Sequence, residues 1–379
     1  MKIVGFYHSL ISDWNHGNAH FLRGVASELL ARGHEVRVFE PRDAWSVTNL
    51  VRDHGAAAIT AFHAAYPALG RLVSERYDAG LDLDRALDGA DAVLVHEWND
   101  PALVARIGQH RASGGRYALL FHDTHHRSVT APDELARYDL GDYDGVLAFG
   151  SVLRDLYRTR GWAARAWTWH EAADTRVFGP HPAITRDGDL VWIGNWGDDE
   201  RTAELHAMLI EPVRALGLCA RVHGVRYPAS AQRTLARAGI HYAGWLANFD
   251  VPKVFARHRV TVHVPRRPYA AALPGIPTIR MFEALACGIP LVSAPWRDDE
   301  ALFTAGEDYL IARDPDQMRR TLRAILCDRA LAEALARHGR ATILARHTCG
   351  HRVDELLAIL AELGVAAARS PRDHRPRRS

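Results

Sequence analysis

One stretch decides the fold of this chain: Leu273-Pro-Gly-Ile-Pro-Thr-Ile-Arg-Met-Phe-Glu-Ala-Leu-Ala-Cys-Gly-Ile-Pro-Leu-Val-Ser293. Arg280 and Glu283 stand three positions apart, the spacing that brings side chains to one face of a helix. The predicted helix ends at Cys287-Gly288, and the apolar run after it is typical of a buried strand. A loop rich in Gly and Pro before a helix can direct free backbone N–H groups at an anion. A carboxylate inside the helix accepts hydrogen bonds from hydroxyls, so the stretch fits a phosphate joined to a sugar.

The same stretch resembles the donor-binding helix of GT-B glycosyltransferases, and most of all the CgeB-like group and the group 1 (family 4-like) transferases. The resemblance implies that Glu283 holds the ribose of a nucleotide-sugar donor. It places Gly275, Thr278 and Arg280 on the donor side as well, with Arg280 also catalytic. Many family 4 enzymes carry a glutamate eight positions before the ribose-binding one, against the transferred sugar. That position is Gly275 here, so the sequence leaves the sugar and the stereochemical outcome open. The alternative is a plain amphipathic helix with a solvated Arg/Glu pair.

Length and composition bound the class of protein. A chain of 379 residues with 48% hydrophobic and 24% charged residues is long enough for two globular domains. Its net charge of +2 gives no global field that would recruit nucleic acid. No apolar run approaches the roughly 18 residues needed to span a bilayer, and the first residues are typical of a strand rather than a signal peptide. We therefore expect a cytoplasmic monomer or homodimer with no nucleic-acid partner.

The cysteines and lysines limit the chemistry. Four scattered cysteines without a Cys-x-x-Cys pair argue against a disulfide framework or a structural zinc site. The chain has two lysines, Lys2 and Lys253, and neither lies in a P-loop. Phosphate charge must therefore be met by arginines or backbone N–H groups. We expect no cofactor and no metal, only a nucleoside-diphosphate sugar as co-substrate.

Short apolar runs alternate with amphipathic stretches through both halves of the chain, which predicts an α/β fold with parallel sheets. With the resemblance, this becomes a GT-B arrangement of two Rossmann-like domains facing a cleft. We expect an acceptor domain at 1–170 and a linker at 171–188, where Asp174, Phe178 and Pro180 match the family's interdomain segment. A donor domain is expected at 189–348, a helix returning to the first domain at 349–364, and a basic disordered tail at 365–379.

Further donor-side candidates lie after predicted strands of the second half. The run Gly194-Asn195-Trp196 and the nearby Arg201 are expected to face the donor diphosphate, as in the loop they resemble; an ordinary capped turn is the alternative. Two adjacent arginines, Arg266 and Arg267, follow another strand, where α/β proteins place ligands. We expect one of them, with Arg280, to neutralise the diphosphate; surface salt bridges are the alternative. Trp245 is expected to line or stack on the nucleobase, unless it is an ordinary half-buried tryptophan.

The first loop of the chain supplies the acceptor-side candidates. It is long and rich in groups that hydrogen-bond sugars, and its candidates are Asp13, His16, Gly17 and Asn18. A purely structural loop is the alternative.

The segment Phe121-His-Asp-Thr-His-His-Arg127 adds three histidines and an aspartate after another strand. The resemblance predicts His122 or His125 in the active site, with Asp123 orienting it. We take His122 and Asp123 as catalytic and His125 as acceptor-binding. A metal site and purely structural histidines remain alternatives.

These observations predict a glycosyltransferase that uses a UDP, GDP or dTDP sugar and a hydroxylated acceptor, without metal and with retention of configuration. Inversion, with His122 or Asp13 as base, stays open. One alternative is a non-hydrolysing sugar-nucleotide epimerase, which would change the sugar of the donor with no acceptor present. Another is a non-catalytic nucleotide-sugar-binding protein of the same fold.

Overall fold

The computed structural model describes residues 1–365. Residues 366–379, which make up nearly all of the predicted tail, lie outside the described residues. Within residues 1–365, no helix is both long enough and apolar enough to cross a membrane.

The first half of the chain forms a sheet of seven parallel strands in the order β3-β2-β1-β4-β5-β6-β7. Its central strands are apolar because both faces are covered; every residue of Ala92–His96 is buried. The strands are β1 Lys2–Phe6, β2 Glu35–Pro41, β3 Val73–Tyr77, β4 Ala92–His96, β5 Ala118–Asp123, β6 Gly145–Ala148 and β7 Ala166–Thr168.

The first half of the chain also forms eight helices. They are α1 Ala19–Ala31, α2 Trp45–His54, α3 Ala57–Ala65, α4 Leu83–Leu87, α5 Pro101–Ala112, α6 Arg127–Thr130, α7 Pro132–Leu135 and α8 Ser151–Thr159, with a 3₁₀ turn at Pro67–Arg71.

The second half forms a sheet of six parallel strands in the order β10-β9-β8-β11-β12-β13. The strands are β8 Gly188–Ile193, β9 Ala220–His223, β10 Ile240–Tyr242, β11 His258–His263, β12 Leu291–Ser293 and β13 Leu310–Ile311. Two parallel sheets, each flanked by helices, are the architecture that the sequence predicts.

The helices of the second half include the one predicted over the deciding stretch. It is α14, which ends at Gly288 in the left-handed conformation (φ 68°) that suits glycine after a helix. The set is α9 Thr202–Leu205, α10 Glu211–Leu216, α11 Ala229–Arg237, α12 Val251–Ala256, α13 Arg267–Ala272, α14 Ile279–Cys287, α15 Pro315–Cys327, α16 Arg329–Arg346 and α17 Cys349–Glu362. A π-helical turn at His206–Ile210 joins α9 to α10, and 3₁₀ turns lie at Asp198–Glu200 and Asn248–Asp250.

The last helix lies against the first half of the molecule. Arg32, at the end of α1, pairs with Asp354 of α17 at 2.5 Å. Trp169 donates a hydrogen bond from Nε1 to the carbonyl oxygen of Arg352 at 2.8 Å. We refer to the two halves, each built on one sheet, as the first and second lobes.

Candidate functional site

The two lobes meet across a cleft of about 430 Å³. Its walls come from loops that follow β1, β2, β4, β5 and β6 of the first sheet and β8, β9, β10 and β11 of the second. The carboxyl ends of both parallel sheets therefore face the cleft, which is where α/β proteins bind ligands.

All four predicted acceptor-side residues of the first loop line this cleft: Asp13, His16, Gly17 and Asn18. The Asp13 carboxylate is already engaged. It accepts hydrogen bonds from Arg23 Nη1, Trp245 Nε1 and the Asn248 backbone N, each at 3.0 Å. Because Trp245 and Asn248 belong to the second lobe, Asp13 joins the two lobes at the rim of the cleft.

His16 is almost fully buried, and its Nε2 has no hydrogen-bond partner. Burial, followed by the neighbouring His8 and His96, holds its pKa well below the ordinary value. His16 is thus neutral at pH 7 and can present an imidazole nitrogen to an uncharged ligand.

The two residues predicted as catalytic at the end of β5 do not line the cleft. His122 is buried beside Trp169, with ring centroids 4.8 Å apart. Asp123 accepts the hydroxyl of Tyr157 at 2.8 Å and the backbone N–H of His125 at 3.0 Å. Burial, and then Glu97, raises the pKa of Asp123 to about 7. The structure therefore corrects the prediction: both residues lie inside the first lobe, and Asp123 bonds the backbone of His125 rather than an imidazole.

His125, the third candidate of this segment, does line the cleft. Its ring lies 5.1 Å from that of Trp98 and 4.0 Å from that of His126. Its Nδ1 has no hydrogen-bond partner, and burial, then His126, keeps its pKa well below the ordinary value. Among the side chains that the structure describes, no group of three His, Cys, Asp or Glu is arranged to hold a metal ion.

On the second lobe, the predicted donor-side residues Gly194, Asn195 and Arg201 line the cleft, whereas Trp196 does not. The indole of Trp196 packs instead against Tyr227, with centroids 5.7 Å apart, in the core of that lobe. Its predicted contact with the donor is therefore corrected. Gly197 adopts φ +85°, and a Cβ there would lie 2.6 Å from Arg201 Nε, so this glycine makes room for the arginine.

Arg201 is the most unusual charge in the cleft. Its side chain is buried, and it donates hydrogen bonds only to carbonyl oxygens, one of them Val264 O at 3.2 Å. Its Nε has no partner, and within the described chain no carboxylate forms an ion pair with it. Burial, and then Arg266, lowers its pKa to about 9, which leaves it charged at neutral pH. A buried cation without a counter-ion is costly, so the site favours an anionic ligand.

The two adjacent arginines separate. Arg266 lines the cleft and pairs with Glu200 at 2.5 Å, whereas Arg267 lies outside it and pairs with Glu204 at 3.1 Å. Arg267 begins α13 on the exposed surface, because the chain turns outward there, and its predicted place at the donor is corrected.

In the deciding stretch, Thr278 and Arg280 line the cleft at the N-terminus of α14. Glu283 does not: its side chain is completely buried. One oxygen lies 2.8 Å from His20 Nδ1 and 3.3 Å from Asn248 Nδ2, and the other accepts a hydrogen bond from Arg280. Burial opposes ionisation of Glu283, but Arg280 and His20 outweigh it and lower its pKa. Contact between Glu283 and a ribose would require these bonds to open.

Gly275 also lies outside the cleft. It has φ +85°, and a Cβ there would come within 3.1 Å of Glu300. This position is therefore a tight turn rather than a donor-binding point, which corrects that prediction. Trp245, by contrast, lines the cleft, with its ring 4.4 Å from that of His54 in the first lobe.

Several cleft residues were not predicted. Trp45 follows β2, and its ring lies 6.3 Å from that of Trp98, which follows β4, at the first-lobe end. Applying the strand-end rule to every strand would have found Trp45. Tyr269 and Glu171 line the cleft as well. Glu171 lies in the linker, where a carboxylate directly before Ala172 and Ala173 was the available signal.

The comparisons with known proteins agree with this fold. A family model described as glycosyl transferase-like matches residues 201–358, and no curated protein sequence matches the chain. Among solved structures, sucrose-phosphate synthase from Thermosynechococcus elongatus has a TM-score of 0.65 and 14% identity, covering 97% of this chain and 100% of that one. HepE of Anabaena in complex with UDP-glucose gives 0.65 and 14%, covering 96% and 100%. An α-glucosyltransferase in complex with UDP and DNA gives 0.66 and 12%, covering 95% and 99%. The chain therefore has the GT-B fold, as predicted, while the CgeB-like subgroup stays a prediction.

Proposed function

We propose that this chain is a glycosyltransferase that moves a sugar from a nucleoside-diphosphate sugar to an acceptor hydroxyl. One observation carries the proposal: four arginines, Arg201, Arg226, Arg266 and Arg280, line the second-lobe side of the cleft, and Arg201 is buried without a carboxylate partner. The match of residues 201–358 to a glycosyl transferase-like family supports it.

In this proposal the diphosphate lies against the arginines and the N-terminus of α14. The first turn of that helix begins at Thr278 and Ile279, which line the cleft, and its unpaired backbone N–H groups favour an anion. Charges held in place before the reaction stabilise the leaving diphosphate without reorganising. A metal ion is not required for this role, so we propose a metal-independent reaction.

Retention of configuration is part of the proposal. Of the two groups that the sequence offers as the base of an inverting reaction, His122 lies outside the cleft and Asp13 already accepts three hydrogen bonds. His16 and His125 line the cleft, but they are weak bases because their pKa values lie well below the ordinary value. We therefore propose that the departing phosphate takes the proton of the acceptor hydroxyl.

The acceptor would occupy the first-lobe end, between Trp45, Trp98 and His125. Flat aromatic faces and neutral imidazoles suit an uncharged molecule with rings and hydroxyls, such as a glycan.

The direct test is calorimetric titration with UDP, GDP, dTDP, ADP and CDP on the wild type and on Arg201→Gln. UDP comes first because HepE has been solved with UDP and with UDP-glucose. Binding of one nucleotide, weakened at least about tenfold in the variant, is the expected result; no binding of any nucleotide would overturn the proposal. Incubating the matching nucleotide-sugar alone then separates an epimerase, which alters the sugar, from a transferase. Binding without turnover on any glycan acceptor would indicate a non-catalytic protein.

A further inference from the structure

Glu171 differs from the other carboxylates around the cleft. It lies in the linker after β7, and although it lines the cleft it is only 4% exposed. Its Oε1 is shut off from solvent and has no hydrogen-bond partner. By contrast, Asp13 is bonded to Arg23, Glu200 to Arg266 and Glu283 to Arg280.

A buried carboxyl group without a cation partner favours its neutral form. Burial, followed by Glu283 and Glu97, raises the pKa of Glu171 well above the ordinary value, and the opposing effect of Arg280 is smaller. In this neutral form the group carries an O–H that can donate a hydrogen bond and a carbonyl oxygen that can accept one. A sugar hydroxyl, which also donates and accepts, is the matching partner.

The place of Glu171 in the chain indicates which part of the ligand it meets. The linker passes from the first lobe to the second, and Arg280 of the second lobe and Glu97 of the first are both close enough to influence the charge of Glu171. A group transferred between a nucleotide on one lobe and an acceptor on the other must lie at this boundary.

We propose that Glu171 determines the sugar specificity of the site by hydrogen-bonding a hydroxyl of the sugar that is transferred. The inference rests on the proposed function, and it assigns to the linker a contact that the deciding stretch does not provide, because Gly275 lies outside the cleft.

The test compares two near-isosteric variants by titration with UDP and with UDP-glucose, or with GDP and GDP-mannose if guanosine is the base. Glu171→Gln keeps a hydrogen-bond donor and a hydrogen-bond acceptor in the side chain. Glu171→Met keeps the side-chain volume but removes the donor and the acceptor. We expect Glu171→Met to bind the nucleotide-sugar about tenfold more weakly and to bind the free nucleotide within about twofold of the wild type. Glu171→Gln should stay within about threefold for both ligands.

The matched control is Glu40, another fully buried glutamate of raised pKa with one unpartnered oxygen, which lies away from the cleft. Glu40→Gln should leave both affinities unchanged. Thermal melting establishes that each variant is folded. If Glu171→Met is not, Glu171→Asp, which withdraws the carboxyl by one methylene, should show the same selective loss.

Three results would overturn the inference and leave the proposed function standing. They are unchanged binding of the nucleotide-sugar by Glu171→Met, an equal loss for the free nucleotide, and a Glu171→Gln variant as weak as Glu171→Met. If the wild type binds no nucleotide at all, the proposed function fails, and the inference fails with it.

Discussion

His20 and Glu283 stand 263 positions apart in the chain, yet His20 Nδ1 lies 2.8 Å from Glu283 Oε1. His20 belongs to α1 of the first lobe and Glu283 to α14 of the second, and both side chains are almost completely buried. The carboxylate that the sequence predicts to hold a ribose is therefore also a junction between the lobes.

The contact between His20 and Glu283 predicts that substitutions at these two positions do not lower the free energy of unfolding additively. His20→Asn and Glu283→Gln each remove one partner of a buried pair, and the double variant removes both. We expect each single change to lower the free energy of unfolding by about 3 kcal/mol. The double change should cost less than the sum, by about 1–3 kcal/mol. Urea denaturation of the four proteins gives the cycle, and strictly additive losses would show that the contact does not couple the lobes.

A second prediction uses the adjacent arginines as a matched pair. Arg266 lines the cleft, and Arg267 pairs with Glu204 outside it. Arg266→Gln should weaken UDP binding about tenfold or more, because a charge-assisted contact to phosphate is lost. Arg267→Gln should leave binding within about twofold, since its ion pair is exposed and weak. Calorimetric titration measures both affinities, and equal losses would contradict the assignment.

The sequence predicts which loop residues reach the cleft better than it predicts the positions of the buried side chains around it. Residues in the loops after strands reach the cleft because parallel strands end at one edge of a sheet; Asn195, Arg201, Trp245 and Arg266 are examples. This rule predicts which loops of the backbone form the cleft, and the predicted fold is confirmed. The roles of these side chains stay predictions.

What the sequence does not predict is the direction of a side chain at the end of a strand and its distant partners. His122 and His125 are three residues apart, but one lies in the core and the other lines the cleft, because the chain leaves the sheet between them. The burial of Glu283 depends on His20 of the other lobe. Short edge strands such as β10 and β13, of three and two residues, carried too few residues for a clear pattern.

A third prediction concerns pH. Burial lowers the pKa of many histidines: to about 3 in His96, where Arg127 adds to the effect, and well below the ordinary value in His16, His122 and His125. Unfolded histidine has a pKa near 6.5, so below that pH the unfolded chain binds more protons than the folded one. Each such histidine therefore stabilises the fold fully above pH 6.5, and this contribution falls by about 1.4 kcal/mol per pH unit below it.

Buried carboxyl groups whose pKa is raised change the stability in the opposite direction as the pH changes. Glu97, at about 7 because of burial, stabilises the fold below pH 4.5 and loses that contribution as the pH rises to 7. The affected histidines outnumber these acids among the described residues, so unfolding in urea should require less energy at pH 5 than at pH 7. His96→Asn should reduce this loss by up to about 2 kcal/mol. The exposed His241→Asn serves as control, and a His96→Asn slope identical to the wild type would contradict the argument.

The last prediction concerns Gly275, where the family 4 pattern that the sequence resembles has a glutamate. The structure gives the position φ +85° and places Glu300 where a side chain would go, and Glu300 in turn holds His170 at 3.0 Å and the Ser151 backbone N at 2.8 Å. Gly33 is a matched control, because it has φ +81° and nothing within 4 Å of an added Cβ. Gly33→Ala should cost about 1 kcal/mol of backbone strain.

Gly275→Ala should cost about 1 kcal/mol more than Gly33→Ala, because the methyl group also displaces Glu300 from its bonds to the first lobe. Urea denaturation measures the free energy of unfolding of the two variants. Equal losses would show that the Glu300 side chain moves aside without a cost in stability. Gly275→Glu should then destabilise the protein further without strengthening UDP-glucose binding, since this position lies outside the cleft. A gain in affinity would instead mean that the turn can open and that a glutamate at this position can reach the ligand.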